Sequence, residues 1–218
     1  MSIKNNLQTI KSQLPSNVIL VAVSKTKPVA DLMEAYNAGQ RIFGENKIQE
    51  MTEKWEQMPK DIEWHMIGHV QTNKVKYMAE YVNLIHGVDS LKLLQEINKQ
   101  AKKHNRIINC LLQIHIAEEE TKFGLDENEL DEILKQIQKS KGEFENIKVV
   151  GLMGMATFTK NQAQIKKEFL HLKSIFEKIY TEQYQIDTLS MGMSGDYQLA
   201  IECGSSMVRI GSSIFGKR

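Results

Sequence analysis

A lysine that follows directly on an apolar run is the first residue able to do chemistry. Residues 18–24 read VILVAVS, and Lys25, Thr26, Lys27 and Pro28 come next. A lysine held at a strand end and desolvated, or set near a second cation, can lose its proton and become a Schiff-base nucleophile. Residues two apart share a strand face, so Val21, Val23 and Lys25 point one way if the strand runs on. Lys27 precedes Pro28 and falls in the loop. The alternative is a strand that surfaces here, with both lysines solvated. A further cation, Arg209, lies between Val208 and Ile210 in another apolar run. A guanidinium does not deprotonate, so a buried one needs an acceptor, either a carboxylate of the protein or an atom of a ligand.

Small polar residues near the C-terminus suit an anion. Ser194 and Gly195 stand before a helix whose early residues include Asp196, and Gly211, Ser212 and Ser213 stand before a last helical turn. Such loops present backbone N–H groups and hydroxyls, and two of them in successive strand–helix units suit a phosphate. Read separately, they are ordinary loops with serine N-caps. "FGENKIQE" (43–50) and "EWHMIGHVQTNK" (63–74) complete the polar set. Gly44 allows a tight turn, and at least one of Glu45 and Asn46 is expected to cap the next helix. His65 reads either as a pocket wall or as a hydrogen-bonded core histidine. His65 and His69 are four apart, but Gly68 and the strand end argue against a helical zinc pair, and no metal site is assigned. Met153, Met155, Met191 and Met193 alternate at strand spacing, as core or pocket lining. "EEETK" (118–122) reads as a solvated loop.

The elements that position these residues alternate along the chain. Apolar runs fall at 18–24, about 41–43, 62–67, 82–86, 108–116, 147–153, 187–190 and 206–210. Helical patterns fall between them at about 29–38, 46–57, 72–80, 90–104, 127–139, 162–181 and 196–202, with an N-terminal amphipathic helix at about 2–14 built on Ile3, Leu7, Ile10 and Leu14. Alternation of this kind predicts parallel strands joined by crossover helices, an α/β fold. An open doubly wound sheet competes with a closed (β/α)8 barrel of the TIM type. The barrel is favoured by the strand count and because Lys25, Asn46, His65, Ser194 and Arg209 all lie at or just beyond strand ends, where such barrels keep their sites. An open sheet calls for a glycine-rich turn after an early strand, and "SKTKP" is not one. With no Pro/Gly/Ser-rich linker, residues 1–218 read as one domain.

Composition narrows the function. The 218 residues are 41% hydrophobic and 25% charged, with a net charge of +1. No basic block marks a nucleic-acid binder; "AKKHNR" (101–106) reads as the solvated end of a helix. No run is long enough to span a membrane, and the N-terminus lacks the apolar core of a secretory signal. Two cysteines, Cys110 and Cys203, make neither a metal spacing nor a disulfide framework. A cytoplasmic protein with no membrane or nucleic-acid partner is expected.

"AVSKTKP", "FGENKIQE", "EWHMIGHVQTNK", "GLMGMA", "LSMGMSGD" and "VRIGSSIFG", in that order from about residue 20 to 216, carry a resemblance. The chain resembles the YggS/PROSC family, the pyridoxal-phosphate-binding homeostasis proteins. The resemblance implies a barrel related to the N-terminal domain of alanine racemase, a fold-type III architecture, with pyridoxal 5'-phosphate as cofactor. It makes Lys25 the lysine that forms the internal aldimine. It gives Ser194, Gly211 and Ser212 the phosphate contacts, with Ser190 and Met193 nearby. Arg209 faces the pyridine nitrogen, and Asn46, His65 and Ile67 line the pocket. Three positions depart from the family pattern: Ser212 replaces a common threonine, His115 a common asparagine and Thr157 a common proline. Lys122 matches a family lysine near the rim, with its role open.

An arginine opposite the ring nitrogen donates a hydrogen bond without readily protonating the ring, which leaves a weaker electron sink. Alanine racemase shares that arginine but adds a second domain bearing a tyrosine base, whereas this chain stops at Arg218, just past the last barrel unit. The expectation is therefore a carrier or buffer of pyridoxal phosphate that hands it to apoenzymes, as a monomer or weak homodimer. The alternatives are a fold-type III amino-acid racemase and a cofactor-sensing regulator.

Overall fold

Eight short apolar segments become eight parallel strands, and the last pairs back onto the first. The computed structural model describes residues 2–119, 123–179 and 186–216. In it β1 (Ile19–Val23), β2 (Ile42–Glu45), β3 (Glu63–Met66), β4 (Leu84–Val88), β5 (Ile108–Ile114), β6 (Ile147–Gly154), β7 (Thr188–Met193) and β8 (Met207–Ile210) follow one another in chain order around a closed barrel. β8 closes on β1 with Val21 opposite Arg209. The closed order excludes the open sheet.

Strands buried on both faces read as continuous apolar runs, and β4 is buried at every position. The two faces nonetheless separate. Val21, Leu84, Leu111, Met153 and Met207 form a small cluster of their own, while the larger core fills the space between strands and helices. Counting in twos from the small cluster reaches Lys25 from Val21, His86 from Leu84, Gln113 from Leu111 and Arg209 from Met207.

The helices are α1 (Ile3–Gln13), α2 (Val29–Asn37), α3 (Ile48–Gln57), α4 (Leu91–Lys103), α5 (Glu127–Lys139), α6 (Gln162–Ile179), α7 (Tyr197–Glu202) and α8 (Ser212–Phe215). Local sequence starts several of them. Ser90 caps α4 by accepting from the Leu93 N–H, and Asp126 with Glu129 makes a reciprocal capping box on α5. α1 packs on α2 and α8. No helix among the described residues is long and apolar enough to cross a membrane.

Two local expectations are corrected. Residues 72–80 do not form an α-helix; Thr72–Tyr77 is a 3₁₀ segment. Val75 and Met78 are both fully buried, and residues three apart line up on the tighter helix. Glu45 and Asn46 do not cap α3. Glu45 is the last residue of β2, and Lys47 holds the N-cap position without a side-chain bond.

Candidate functional site

The C-terminal ends of the strands open into a cavity of about 720 Å³, a size ordinary for a small-molecule site. Lys25, Asn46, Ile67 and Met193 line it, as do Ser194, Arg209, Gly211 and Ser212. Ser190 and His65 are not among the residues of its wall. Both are buried beneath it.

Lys25 reaches the cavity because of what surrounds it in the chain. β1 stops at Val23, Ser24 is fully buried, and Lys25 is half-buried with the cavity on one side. Thr26 then adopts φ +64°, a left-handed conformation that is an outlier for a β-branched residue and costs on the order of 1–3 kcal/mol. Beyond it, Lys27 Nζ donates to the Phe215 carbonyl at 2.9 Å. The two lysines therefore differ: Lys27 spans from the β1 loop to α8, and Lys25 stands at the strand end.

Arg209 lies at the bottom of the cavity, 4% exposed. Its guanidinium donates to the Ser190 carbonyl at 2.9 Å, the Ser190 hydroxyl at 2.5 Å and the Gly154 carbonyl at 3.1 Å. No carboxylate among the described residues lies within ion-pair distance of it. Burial pulls its pKa down to about 10, opposed by the charge of Asp196, so it stays cationic at neutral pH.

Under this cation runs a hydrogen-bonded chain. Ser190 Oγ meets His86 Nδ1 at 3.2 Å, and His86 Nε2 meets His65 Nδ1 at 3.1 Å. An arginine only donates, so the Ser190 hydroxyl passes its hydrogen on to His86, and His86 gives its Nε2–H to His65. Burial holds His65 down to about 3 and His86 well below the ordinary histidine range, where His65 and the Arg209 charge add to the effect. Both rings are neutral. His65 is thus the core histidine of the two readings. His86 escaped sequence reasoning, although its place two residues after Leu84 in an otherwise apolar strand was a usable signal.

The loops after β7 and β8 are tied together. The Gly211 N–H donates to Ser194 Oγ at 3.2 Å, and the Asp196 carboxylate accepts from the Met193 N–H at 2.6 Å. A Cβ on Gly211 would lie 3.0 Å from the Val23 carbonyl oxygen, so the loop after β8 packs closely on the end of β1. Among the described residues around the cavity, the cations Lys25, Lys27 and Arg209 face one carboxylate, Asp196, with Val23, Ile67, Met155 and Met193 as apolar wall. Such a lining suits a flat, apolar molecule carrying negative charge.

The rim holds the remaining candidates. His115 Nε2 lies 3.1 Å from the Glu119 carbonyl. Thr157 donates its N–H at 2.6 Å and its hydroxyl at 2.7 Å to the Glu168 carboxylate. Burial alone would raise the Glu168 carboxyl; bonds from Thr157, Gln164 and the Glu118 N–H outweigh it and hold it below its usual range. His69 stacks on Phe123 at 4.7 Å and bonds Asp89 at 3.1 Å, so it is not paired with His65. No group of three or more metal-ligating side chains occurs among the described residues. Lys122 lies outside the described residues.

The sequence profile described as "Alanine racemase, N-terminal domain" matches residues 1–218. A pyridoxal phosphate homeostasis protein of Pasteurella multocida is 40% identical over 233 residues, spanning 100% of this chain and 98% of that one. Its namesake in Schizosaccharomyces pombe is also 40% identical, over 225 residues, spanning 100% and 93%. The structure of PipY from Synechococcus elongatus with PLP bound superposes at TM-score 0.90 with 33% identity, covering 99% of this chain and 100% of PipY. Alanine racemase from E. faecalis shares the fold, at TM-score 0.76 and 15% identity, with 58% of its length covered.

Proposed function

Because this chain belongs to the alanine racemase N-terminal-domain family, among relatives that are pyridoxal phosphate homeostasis proteins, we propose that it binds pyridoxal 5'-phosphate and acts in the homeostasis of that cofactor. The observation that carries the reading is the convergence of Lys25 and Arg209 on one apolar-walled cavity whose described lining has an excess of positive charge. The residues present fit the cofactor. Lys25 would hold its aldehyde end, Ser194 and Ser212 its phosphate, Arg209 its ring nitrogen, and Ile67, Met193 and Asn46 its flanks. The cofactor supplies an electrophilic carbonyl for a lysine amine. Arg209 contributes a hydrogen-bond donor in a fixed position, since three of its five N–H groups are committed to Ser190 and Gly154.

A carrier or buffer is favoured over a racemase. Racemisation needs proton-transfer groups on both faces of the substrate α-carbon, each of matched pKa. Among the described residues lining the cavity, the ionisable side chains are Lys25, Lys27, His69, Asp196 and Arg209. No tyrosine is present among them. His65, the residual candidate for a second base, is buried, neutral and bonded to His86. A cytoplasmic, single-domain protein that passes its cofactor to apoenzymes, as a monomer or weak homodimer, completes the reading. The test is direct. The purified protein is incubated with pyridoxal phosphate, reduced with borohydride and peptide-mapped, and its turnover of alanine and serine enantiomers is measured beside transfer of cofactor to an apoenzyme. A reduced adduct on Lys25, transfer and trace turnover are expected. Turnover in the usual enzyme range of roughly 1–10³ per second would reverse the assignment in favour of a racemase.

A further inference from the structure

A buried ionic cluster lies just outside the cavity and grips the backbone on both sides of Lys25. Lys54, on α3, is 5% exposed, and Glu45, at the end of β2, is fully buried. Lys54 Nζ donates to Glu45 Oε1 and to Glu50 Oε1, each at 2.7 Å, and to the Ser24 carbonyl at 2.8 Å. The Ser24 hydroxyl donates to Glu45 Oε1 at 2.5 Å, and its N–H to the Gly44 carbonyl at 3.0 Å. On the other side of Lys25, the Thr26 N–H donates to Glu50 Oε1 at 2.5 Å. Ser24 is thus held at its N–H, its carbonyl and its hydroxyl, and the strained Thr26 at its N–H. Glu45, Glu50 and Lys54 are not among the residues that line the cavity.

We propose that Glu45, Glu50 and Lys54 form a clamp that fixes the backbone either side of Lys25 and so aims its amine into the cavity; this rests on Lys25 being the cofactor lysine. Stability is a poor reason for such a cluster. Buried ion pairs are often matched or bettered by well-packed apolar residues, and here Glu45 Oε2 is buried without a hydrogen-bond partner. Orientation is a better reason. A side chain with four rotatable bonds can be aimed only if its Cα is held, and a left-handed threonine persists only where its surroundings over-determine it. Glu50 supplies that hold through the Thr26 N–H, and Lys54 joins Glu50 to the Ser24 side. All three are positioning residues that act through the backbone, and none needs to touch a ligand.

The test separates aim from reactivity. Glu50→Ala removes the acceptor of the Thr26 N–H at a half-exposed position, while Glu50→Gln keeps an oxygen there. Each variant is given pyridoxal phosphate and, separately, formaldehyde, with reductive trapping and quantification at Lys25. Formaldehyde needs no orientation, so it reports access and basicity alone. Trapping of pyridoxal phosphate by Glu50→Ala is expected to fall about tenfold or more, since an ångström of misplacement can cost about 10²-fold. Formaldehyde labelling should stay at the wild-type rate, and Glu50→Gln should restore trapping. A folded Glu50→Ala that traps pyridoxal phosphate as fast as wild type, or that loses both reactions equally, overturns the clamp. If Glu50→Ala loses its native circular dichroism, Thr26→Gly, alone and with Glu50→Asp, carries the same test. Glycine takes φ +64° without strain but keeps the N–H bond to Glu50. The clamp therefore predicts that Thr26→Gly traps pyridoxal phosphate at Lys25 near the wild-type rate with no loss of melting temperature. Thr26→Gly with Glu50→Asp, whose carboxylate is shorter by one methylene, should trap it more slowly with formaldehyde labelling unchanged; a wild-type rate in the double variant overturns the proposal. Wild-type protein that traps no pyridoxal phosphate at Lys25 overturns the cofactor reading and the clamp together.

Discussion

Lys25 and Lys27 carry the same side chain two positions apart, and their surroundings give them different work. Because Lys27 Nζ is engaged by the Phe215 carbonyl, Lys25→Ala should abolish the reducible adduct and the yellow colour of the loaded protein. Lys27→Ala should keep both. Absorbance and peptide mapping decide between them, and an adduct found mainly on Lys27 would reverse the assignment. Arg209 is the second residue whose replacement is informative. Its three bonds to Ser190 and Gly154 cannot be reproduced by an ammonium, which lacks the planar fork. Arg209→Lys should therefore weaken pyridoxal phosphate binding and shift the absorption of the bound form. It should also lower stability by about 1–3 kcal/mol, since buried acceptors are left unpaired. A denaturant titration and a spectrum test both effects. A phosphate held by Ser194 and Ser212 predicts that unphosphorylated pyridoxal binds far more weakly, each lost bond to a charged group being worth roughly 1.5–3 kcal/mol. Equal affinity for the two vitamers, measured by titration, would remove the phosphate from that end of the cavity.

At the scale of the elements, one glycine turns β7 to face the site. Ser190 reaches Arg209 and His86 under the cavity, and Met191 packs in the outer core. Strict alternation would then send Met193 outward. The register of β7 against β8 slips between Ser190 and Met193, and Gly192 within the slip has φ +95°. A bulge of this kind re-aims the residues beyond it, and Met193 and Ser194 line the cavity as a result. A Cβ on Gly192 would lie 2.6 Å from the Ala200 Cβ. Gly192→Ala is expected to destabilise the fold by about 1–3 kcal/mol and to weaken cofactor binding with it, as thermal melts with and without ligand will show. The rim is joined by the Glu168 carboxylate, which ties the β6–α6 loop at Thr157 to the β5–α5 loop at Glu118. Its folded pKa is depressed. The stability it contributes is therefore complete above the unfolded value and lost as pH falls through the folded one. The melting temperature of the wild type should decline from about pH 5 downward, and Glu168→Gln should flatten part of that decline.

At the scale of the whole molecule, closing the barrel brings groups far apart in sequence to one end of the strands. The loops after β1, β7 and β8 meet because β8 pairs with β1 and β7 with β8. A ligand that bridges them stabilises the folded state by mass action. At a ligand concentration 100 times its dissociation constant the gain is about 2.7 kcal/mol. Pyridoxal phosphate should accordingly raise the melting temperature in a concentration-dependent way, and Lys25→Ala should reduce that rise without abolishing it, because the phosphate and ring contacts remain. A rise identical in wild type and Lys25→Ala would remove the covalent bond from the account.

The alternation of apolar runs and helical patterns was enough to identify eight strand–helix units, because burial and periodicity are local properties of a chain. It also offered Lys25, Arg209, Ser194, Gly211 and Ser212 as candidates, and all five line the cavity. Local pattern could not choose between the two readings of His65, nor find His86. That choice rests on the burial of His65 and its bond to His86, 21 residues on, and His86 in turn bonds Ser190, 104 residues away, a chain that no window of sequence spans. Glu45 looked like a helix cap because the pattern of a cap is also local. Its burial against Lys54 and Ser24 depends on α3 packing beside the end of β1. Residues 72–80 have a helical spacing, yet Thr72–Tyr77 folds as a 3₁₀ segment. Propensity and periodicity choose the elements; contacts between elements distant in sequence decide which polar side chains face a ligand and which ones hold the others in place.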